Sequence, residues 1–299
     1  MLTHDPTSES APTVDRDGRP LRLVCAEAWG GNRSISTPVE LPGMRGFLHS
    51  TPSTGGRGGD VHCLSICDSG LTARLCVADV VGHGDEVAAV SAEIHGLLRR
   101  HLNTFDQRRL LRKLNRRFVD GGFGAMTTAV MATYFPPTRG LSISYAGHPR
   151  AWLWQRARAA WTALEPQRVD APRGVLIDGP LAVEPGTIFT RRRLRVALGD
   201  RLLLLTDGVL ESADSAGELF GTERLAALLG ELGDAGPRAV VDGVLAGLER
   251  FAGGPLQHDD VTLLVLEFVR GPRWPLWQVV RNRILRPRGN SGDPEFALR

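Results

Sequence analysis

Four acidic positions stand where chemistry could be done. Gly58-Gly59-Asp60 precedes one apolar run, and Ala78-Asp79-Val80-Val81-Gly82-His83-Gly84 follows another. Thr206-Asp207-Gly208 closes a third run, and Asp259-Asp260 opens a fourth. Each aspartate adjoins a predicted strand and usually a glycine. Such placement projects a carboxylate from a rigid sheet edge into a cleft, where glycine lets the backbone come close. Carboxylates converging on one place repel, each raising the others' pKa, unless divalent cations neutralise them. Oxygen donors with few or no histidines suit Mg²⁺ or Mn²⁺ rather than zinc. Two such ions sharing a bridging carboxylate can acidify a water and aim it in line at a phosphorus. That chemistry needs no protein nucleophile, and none is evident in the sequence.

The elements that must position these residues read as α+β. Val61 to Cys67, Asp68-Ser69-Gly70 and Thr72 to Ala78 form a predicted β-hairpin. Apolar residues at helical spacing predict helices over Val87 to Leu102 and Gln107 to Val119, the second with Asn115 and several arginines on its outer side. Strands are expected at Leu21 to Ala28, Thr127 to Phe135, Leu141 to Tyr145, Ala151 to Trp154, Arg195 to Leu198 and Arg201 to Thr206. Trp29 to Gly59, rich in Gly, Pro and Ser, reads as loop with at most a short strand, and Pro166 to Pro185 as loop. Glu223 to Leu232 and Arg238 to Phe251 read as helices. Val261 to Val269 is a strand apolar enough to be buried on both faces. Strands, two helices, many strands, two helices and one strand is not the alternation of a parallel α/β fold. It favours layers with largely antiparallel sheet.

Bulk properties set the frame. The chain has 299 residues, 42% hydrophobic and 23% charged, which is ordinary for a globular protein able to bury a sizeable core. A net charge of +3 does not argue for nucleic acid. Cys25, Cys63, Cys67 and Cys76 form no CxxC pair, so a zinc site is not expected; reduced thiols in strands fit a cytoplasmic protein. The polar start has no signal-peptide character. The expected organisation is a disordered lead over residues 1–20, one domain over 21–270 and a basic tail over 271–299. The tail holds Arg270, Arg273, Arg281, Arg283, Arg286 and Arg288 with Trp274, Leu276, Trp277, Val280 and Ile284 interleaved and no acid among them. Its apolar side is expected to pack on the domain; contact with an anionic membrane surface or a partner is the alternative.

The four acidic motifs, in this order, resemble the metal-dependent protein phosphatases of type 2C, closest to the bacterial branch of stress-response and sporulation signalling. Tyr145-Ala146-Gly147-His148-Pro149, Leu198-Gly199-Asp200, Asp207-Gly208-Val209-Leu210-Glu211, Phe220-Gly221 and Asp259-Asp260-Val261-Thr262 agree, and the resemblance runs from about Glu40 to Val269. It implies a central β-sandwich of two antiparallel sheets flanked by helix pairs. It also implies two Mg²⁺ or Mn²⁺ ions held by Asp60, a bridging Asp79, the Val80 carbonyl, Asp207 and Asp259, with Asp260 a weaker ligand. The implied reaction is hydrolysis of phosphoserine or phosphothreonine on a protein, in this branch a phosphorylated anti-sigma-factor antagonist. The rivals are a regulatory binding module of the same fold and a small-molecule phosphoester hydrolase. The chain departs from the branch at Val61-His62, where an aromatic pair is usual, and at Asp85-Glu86; both changes are expected at the substrate-facing rim. Any single aspartate could be a turn or cap residue, and Asp85 is best read as an N-cap. His83 is either a general acid or a packed loop histidine. His148 is expected to make a structural hydrogen bond, and Glu211 to order its loop.

Overall fold

Successive side chains of a strand point to opposite faces, and the last strand fills both. In β13 (Val261–Phe268), Leu264, Leu266 and Phe268 point one way while Val261, Leu263 and Val265 point the other, all buried. Each such side chain contributes about 1.5–3 kcal/mol of burial, so this strand must lie at the centre of the molecule.

The computed structural model describes residues 20–23, 27–53, 57–67, 69–81, 85–101, 103–104, 106–121, 126–170, 172–255 and 259–271. One sheet runs β1 (Leu21–Arg22), β3 (Ile35–Leu41), β4 (Met44–Thr51), β13, β12 (Arg201–Leu205), β9 (Trp152–Gln155), β10 (Ala160–Ala163). The other runs β11 (Arg192–Arg195), β8 (Gly140–Ala146), β7 (Thr127–Phe135), β6 (Ala73–Val80), β5 (Arg57–Ile66), β2 (Ala28–Arg33). All ladders between these strands are antiparallel except the two-residue β1·β3 ladder. The sheets face each other across a layer that includes Leu64, Leu75, Val77, Val130, Leu204 and Leu266. α1 (Asp85–Arg100) and α2 (Gln107–Asp120) cover the outer face of the second sheet, with Ile94, Leu110, Leu114 and Phe118 against Cys76, Ala78 and Met131. α4 (Gly221–Leu232) and α5 (Pro237–Ala252) cover the first, with Leu225, Leu229 and Val244 against Leu203, Leu205 and Val265. The fold is therefore the expected α+β sandwich of two sheets between helix pairs.

Four local expectations are corrected. The stretch read as loop from Trp29 to Gly59 carries β2, β3 and β4. The strand expected over Arg195 to Leu198 lies instead at β11, and a short helix, α3 (Gly208–Glu211), follows Asp207. Asn115 is buried rather than outward: its Nδ2 donates to the Glu184 carbonyl at 2.8 Å and its Oδ1 accepts from Ala182 N–H at 3.0 Å. The connection over α2 touches β7 by the Thr127–Leu181 bridge, and backbone groups outside the ladders still need partners; Asn115 supplies them at Ala182 and Glu184. Val61 and His62 are both buried, so that departure from the family pattern repacks the interior rather than a rim.

The N-terminal lead, Cys25, the Gly82-His83-Gly84 loop and the tail beyond Gly271 lie outside the described residues, as do the side chains of Asp85 and Glu86.

Candidate active site

The alternation that fills the inter-sheet core also delivers carboxylates to its mouth. In β5, Val61 and Cys63 face the helices, which turns Asp60 toward the other sheet; in β6, Ala78 and Val80 do the same for Asp79. Asp60 and Asp79 are direct cross-strand partners, an arrangement that like charges disfavour. From the opposite sheet, Thr206, Thr262 and Asp260 continue the parity of Leu204 and Leu264 and reach the same seam.

A buried polar network closes that seam. Thr206 Oγ1 donates to Asp60 Oδ2 at 2.7 Å and accepts from Thr262 N–H at 3.0 Å, while Thr262 Oγ1 lies 2.8 Å from Ser50 Oγ. Asp260 ties the last strand to β5. Its Oδ1 accepts from Ser53 N–H at 2.7 Å and Ser53 Oγ at 3.1 Å; its Oδ2 accepts from Gly59 N–H and from Asp60 N–H at 3.3 Å. A carboxylate offers about four acceptor positions, and these four donors occupy them. Asp260, expected as a weaker metal ligand, links the two sheets through these bonds. Of the adjacent pair, Asp259 is the more open; among the described residues its Oδ1 accepts from the Asp260 N–H at 2.8 Å.

Two glycines allow the close approach. A Cβ on Gly59 would stand 2.7 Å from the Val80 carbonyl oxygen and 3.2 Å from Asp79 Oδ1, covering both. A Cβ on Gly208 would stand 2.0 Å from the Asp260 carbonyl oxygen. Only glycine lets the turn after Asp207 lie against Asp259-Asp260.

The carboxylates feel one another. Burial, then the charges of Asp207, Asp259, Asp260 and Glu211, push the Asp79 carboxyl up to about 7. Burial also raises Asp207, helped by Glu211 and Asp259. Asp259 is raised by burial against the opposing Asp260 N–H. Asp60 is raised well above the usual carboxylate range by burial, with the Thr262 and Thr206 hydroxyls pulling the other way. Glu211, expected only to order its loop, joins this field from the exposed end of α3; one helical turn after Asp207 was the available signal. Thr206, a buried hydroxyl adjoining Asp207, was passed over as strand.

Among the described residues no three His, Cys, Asp or Glu side chains form a ready-made metal shell. The donor set is nevertheless all-oxygen, mutually repelling and partly open, which is the chemistry a hard divalent cation fits. A cleft of about 390 Å³ opens beside it, lined by Gly147, His148, Trp152, Asp207, Leu210 and Glu211 among others. His148 is buried, with Nδ1 2.8 Å from Thr128 Oγ1, and its imidazole is pushed down to about 3 by burial, so it stays neutral. Thr128 stands opposite Asp79 in the β6·β7 ladder, so His148 braces the strand behind the site.

A family model, stage II sporulation protein E (SpoIIE), matches residues 69–269 and so includes Asp79, Asp207 and Asp259 but begins after Asp60. No curated protein matches the chain. Among solved structures, the RsbU and RsbW domains of a Mycobacterium tuberculosis protein are 26% identical with a TM-score of 0.63, covering 80% of this chain and 64% of that one. The chain thus spans under two thirds of that structure's length. The SiaA-PP2C domain of Pseudomonas aeruginosa is 19% identical, TM-score 0.60, covering 74% and 85%. The PP2C phosphatase domain of SpoIIE from Bacillus subtilis, solved with a fragment of its regulatory domain, is 13% identical, TM-score 0.58, covering 81% and 63%. These last two show a shared fold. With the motifs, the sandwich and the matched family model in agreement, the chain belongs to the SpoIIE family, in the bacterial stress-response and sporulation branch of the type 2C phosphatases.

Proposed function

We propose that the chain is a metal-dependent phosphatase acting on phosphoserine or phosphothreonine of a protein, in bacterial partner-switching signalling. The observation that carries this reading is the convergence of carboxylates from the two sheets: Asp60 stands directly opposite Asp79, and Gly59 and Gly208 let the backbone close on Asp79 and on Asp259-Asp260. Asp60, Asp79, Asp207 and Asp259, with the Val80 carbonyl that Gly59 leaves open, would hold two Mg²⁺ or Mn²⁺ ions. Bound there, the ions supply the charge that acidifies a water and offsets the phosphoryl oxygens. The chain's own residues do the rest. Thr206 fixes the Asp60 carboxylate, Asp260 holds the two sheets at one spacing, and the cleft along Trp152 and Leu210 seats the segment flanking the phosphorylated residue.

The solved relatives include an RsbU–RsbW pair and a protein of the bacterial stressosome. They support a phosphorylated regulatory protein as substrate, of the anti-sigma-factor antagonist class. The buried free thiols of Cys63, Cys67 and Cys76 fit a cytoplasmic setting. Among the described residues no helix is long and apolar enough to cross a membrane.

The test is turnover on a phosphopeptide panel and on small phosphoesters, with Mn²⁺ or Mg²⁺ and after dialysis into excess chelator. The reading expects turnover of phosphopeptides that depends on the cation. Full activity in chelator overturns the two-ion site. Preference for small esters overturns the substrate class, and tight phosphoprotein binding without turnover shows a binding module.

A further inference from the structure

The cleft beside the carboxylates has a single arginine in its wall. The turn after β8 contributes Arg150, the head of β9 contributes Trp152, and Asp207 is followed by Leu210 and Glu211 of α3; Thr222 in the first turn of α4 completes the wall. His148 also lines the cleft but stays neutral. Among the described residues that line it, the charged side chains are therefore the carboxyl groups of Asp207 and Glu211 and the guanidinium of Arg150.

The backbone that carries Arg150 is fastened on both sides. Gly147 lies in the left-handed region with a φ of 66°, and its N–H donates to the Asp178 carbonyl at 2.6 Å. A Cβ there would stand 2.5 Å from Pro180 Cγ, so the turn packs tightly against the connection between β10 and β11. His148 is held by Thr128, and Ala151 N–H donates to Tyr145 Oη at 3.3 Å. Leu164 N–H donates to the Ala151 carbonyl at 2.8 Å, which prolongs the β9–β10 ladder and sets Glu165 across from Arg150.

The side chain, by contrast, can change partner. Arg150 Nε lies 3.0 Å from Glu165 Oε2, with the two side chains 53% and 52% exposed. An exposed pair of this kind contributes little to stability, because water solvates both charges and ordering both side chains costs entropy. A guanidinium presents its donors in a planar fork that grips an arriving carboxylate bidentately. Anchored at its backbone and lightly held at its charged end, Arg150 is placed to exchange one carboxylate for another.

We propose that Arg150 selects protein substrates that bear an aspartate or glutamate beside the phosphorylated residue, with Glu165 occupying its guanidinium until that carboxylate displaces it. The proposal rests on the phosphatase reading above and adds to it what the segment in the cleft must carry. Asp207 and Glu211 belong to the acidic field around Asp79, which leaves Arg150 as the charge able to discriminate among flanking residues. An apolar segment would be served by Trp152 and Leu210 but would leave Arg150 on Glu165. A basic segment would be repelled by Arg150.

The experiment measures affinity rather than turnover. Fluorescence anisotropy follows the full chain binding labelled peptides that carry a non-hydrolysable phosphonate analogue of phosphoserine, flanked either by aspartates or by serines, in Mn²⁺ and in chelator. The aspartate peptide should bind about tenfold more tightly, the scale of hydrogen bonds to a charged group, and high salt should narrow the gap. Arg150→Ala should abolish the preference, and Arg150→Lys should keep only part of it, because an ammonium lacks the fork. Glu165→Gln should instead tighten binding of the aspartate peptide by about threefold, since the internal competitor is gone. A merely structural ion pair would not give these opposite signs. Equal affinity of the wild type for both peptides overturns the proposal, as does a preference that survives Arg150→Ala. A loss on Arg150→Ala that is equal for both peptides assigns Arg150 to the phosphoryl group and overturns the proposal as well. Failure of the phosphatase reading shows differently: the preference for aspartate stays, while Mn²⁺ makes no difference to either peptide.

Discussion

Strand β6 carries Arg74 near one end and Asp79 near the other, between the same two neighbours, β5 and β7. The two charges are treated differently. Arg74 is buried, yet its guanidinium donates to the carbonyls of His101 and Thr104, fixed acceptors in the connection between α1 and α2. Burial pulls its pKa down to about 10, which still leaves it charged at neutral pH. Nearby, Gln107 donates to Thr133 Oγ1 at 2.9 Å and to the Ser142 carbonyl at 2.8 Å, so that end is held by neutral partners from within the chain. At the Asp79 end the neighbours are further carboxylates. Charge met by fixed dipoles makes a strut; charge met by like charge makes a site that is incomplete without an added cation. The two ends should therefore respond oppositely to mutation: loss of stability at one, loss of activity at the other.

The largest effect is expected at Asp79. Asp79→Ala should lower turnover by about a hundredfold or more, on the scale of removing a group that stabilises developing charge. It should leave the fold intact or relieve carboxylate repulsion, read as an unchanged or raised melting temperature without metal. An Asp79→Ala protein that unfolds, or one that turns over normally, breaks the contrast between the ends.

Asp260 sharpens it, because a carboxylate beside the site belongs with the struts. Asp260→Asn keeps the shape but turns an NH₂ group toward either the Ser53 donors or the Gly59 and Asp60 N–H groups. Leaving buried donors opposed should cost about 3 kcal/mol, read by denaturant unfolding. Asp207→Asn and Asp259→Asn should cost little stability and instead raise the cation concentration needed for activity. If Asp260→Asn weakens metal dependence while leaving stability unchanged, Asp260 is a ligand after all.

At the far end, Arg74→Met keeps much of the buried volume but leaves the His101 and Thr104 carbonyls without their donor. A loss of about 2 kcal/mol is expected, with metal-dependent turnover per folded molecule unchanged. A selective loss of turnover would show that the far end is coupled to the site.

Much of this contrast was legible in the sequence, because four strand-adjacent aspartates and the apolar runs of β6, β12 and β13 speak directly of sheets ending in carboxylates. What escaped had physical causes. β3 alternates Thr37, Val39 and Leu41 inward, but Pro38 disguises it; proline is tolerated because β3 is paired on its outer side only by the two residues of β1. β11 reads Arg192-Arg193-Leu194-Arg195, a charged edge strand with little apolar signal. Asn115 looked like part of a polar helix face, since its loop partners at Ala182 and Glu184 are remote in sequence. Asp259 and Asp260 are adjacent and identical in type, so only the donors around them distinguish the two.

The last comparison concerns pH and isolates Asp79 from other buried titrating groups. Its folded carboxyl is raised from 3.8 to about 7. A raised acid contributes stability that is present at low pH and lost as pH rises through its folded value, because the native state binds the extra proton. His62 and His148 do the reverse: burial lowers them from 6.5 to about 4 and about 3. Their contribution is present above 6.5 and is lost as pH falls toward those values. In metal-free protein the two trends oppose each other between 6.5 and 4, so the wild-type profile alone is uninformative there. Asp79→Asn removes one trend and keeps the other. The stability of wild type relative to Asp79→Asn should therefore grow steadily as pH falls from about 7 toward 4, measured by denaturant midpoints in chelator. Saturating Mg²⁺ or Mn²⁺ should flatten that difference above pH 6, since a ligated carboxylate no longer takes the proton. A difference that is flat without metal would mean that neither burial nor the charges of Asp207, Asp259, Asp260 and Glu211 raise Asp79 enough to matter. A difference that persists unchanged with metal would place Asp79 outside the ion site.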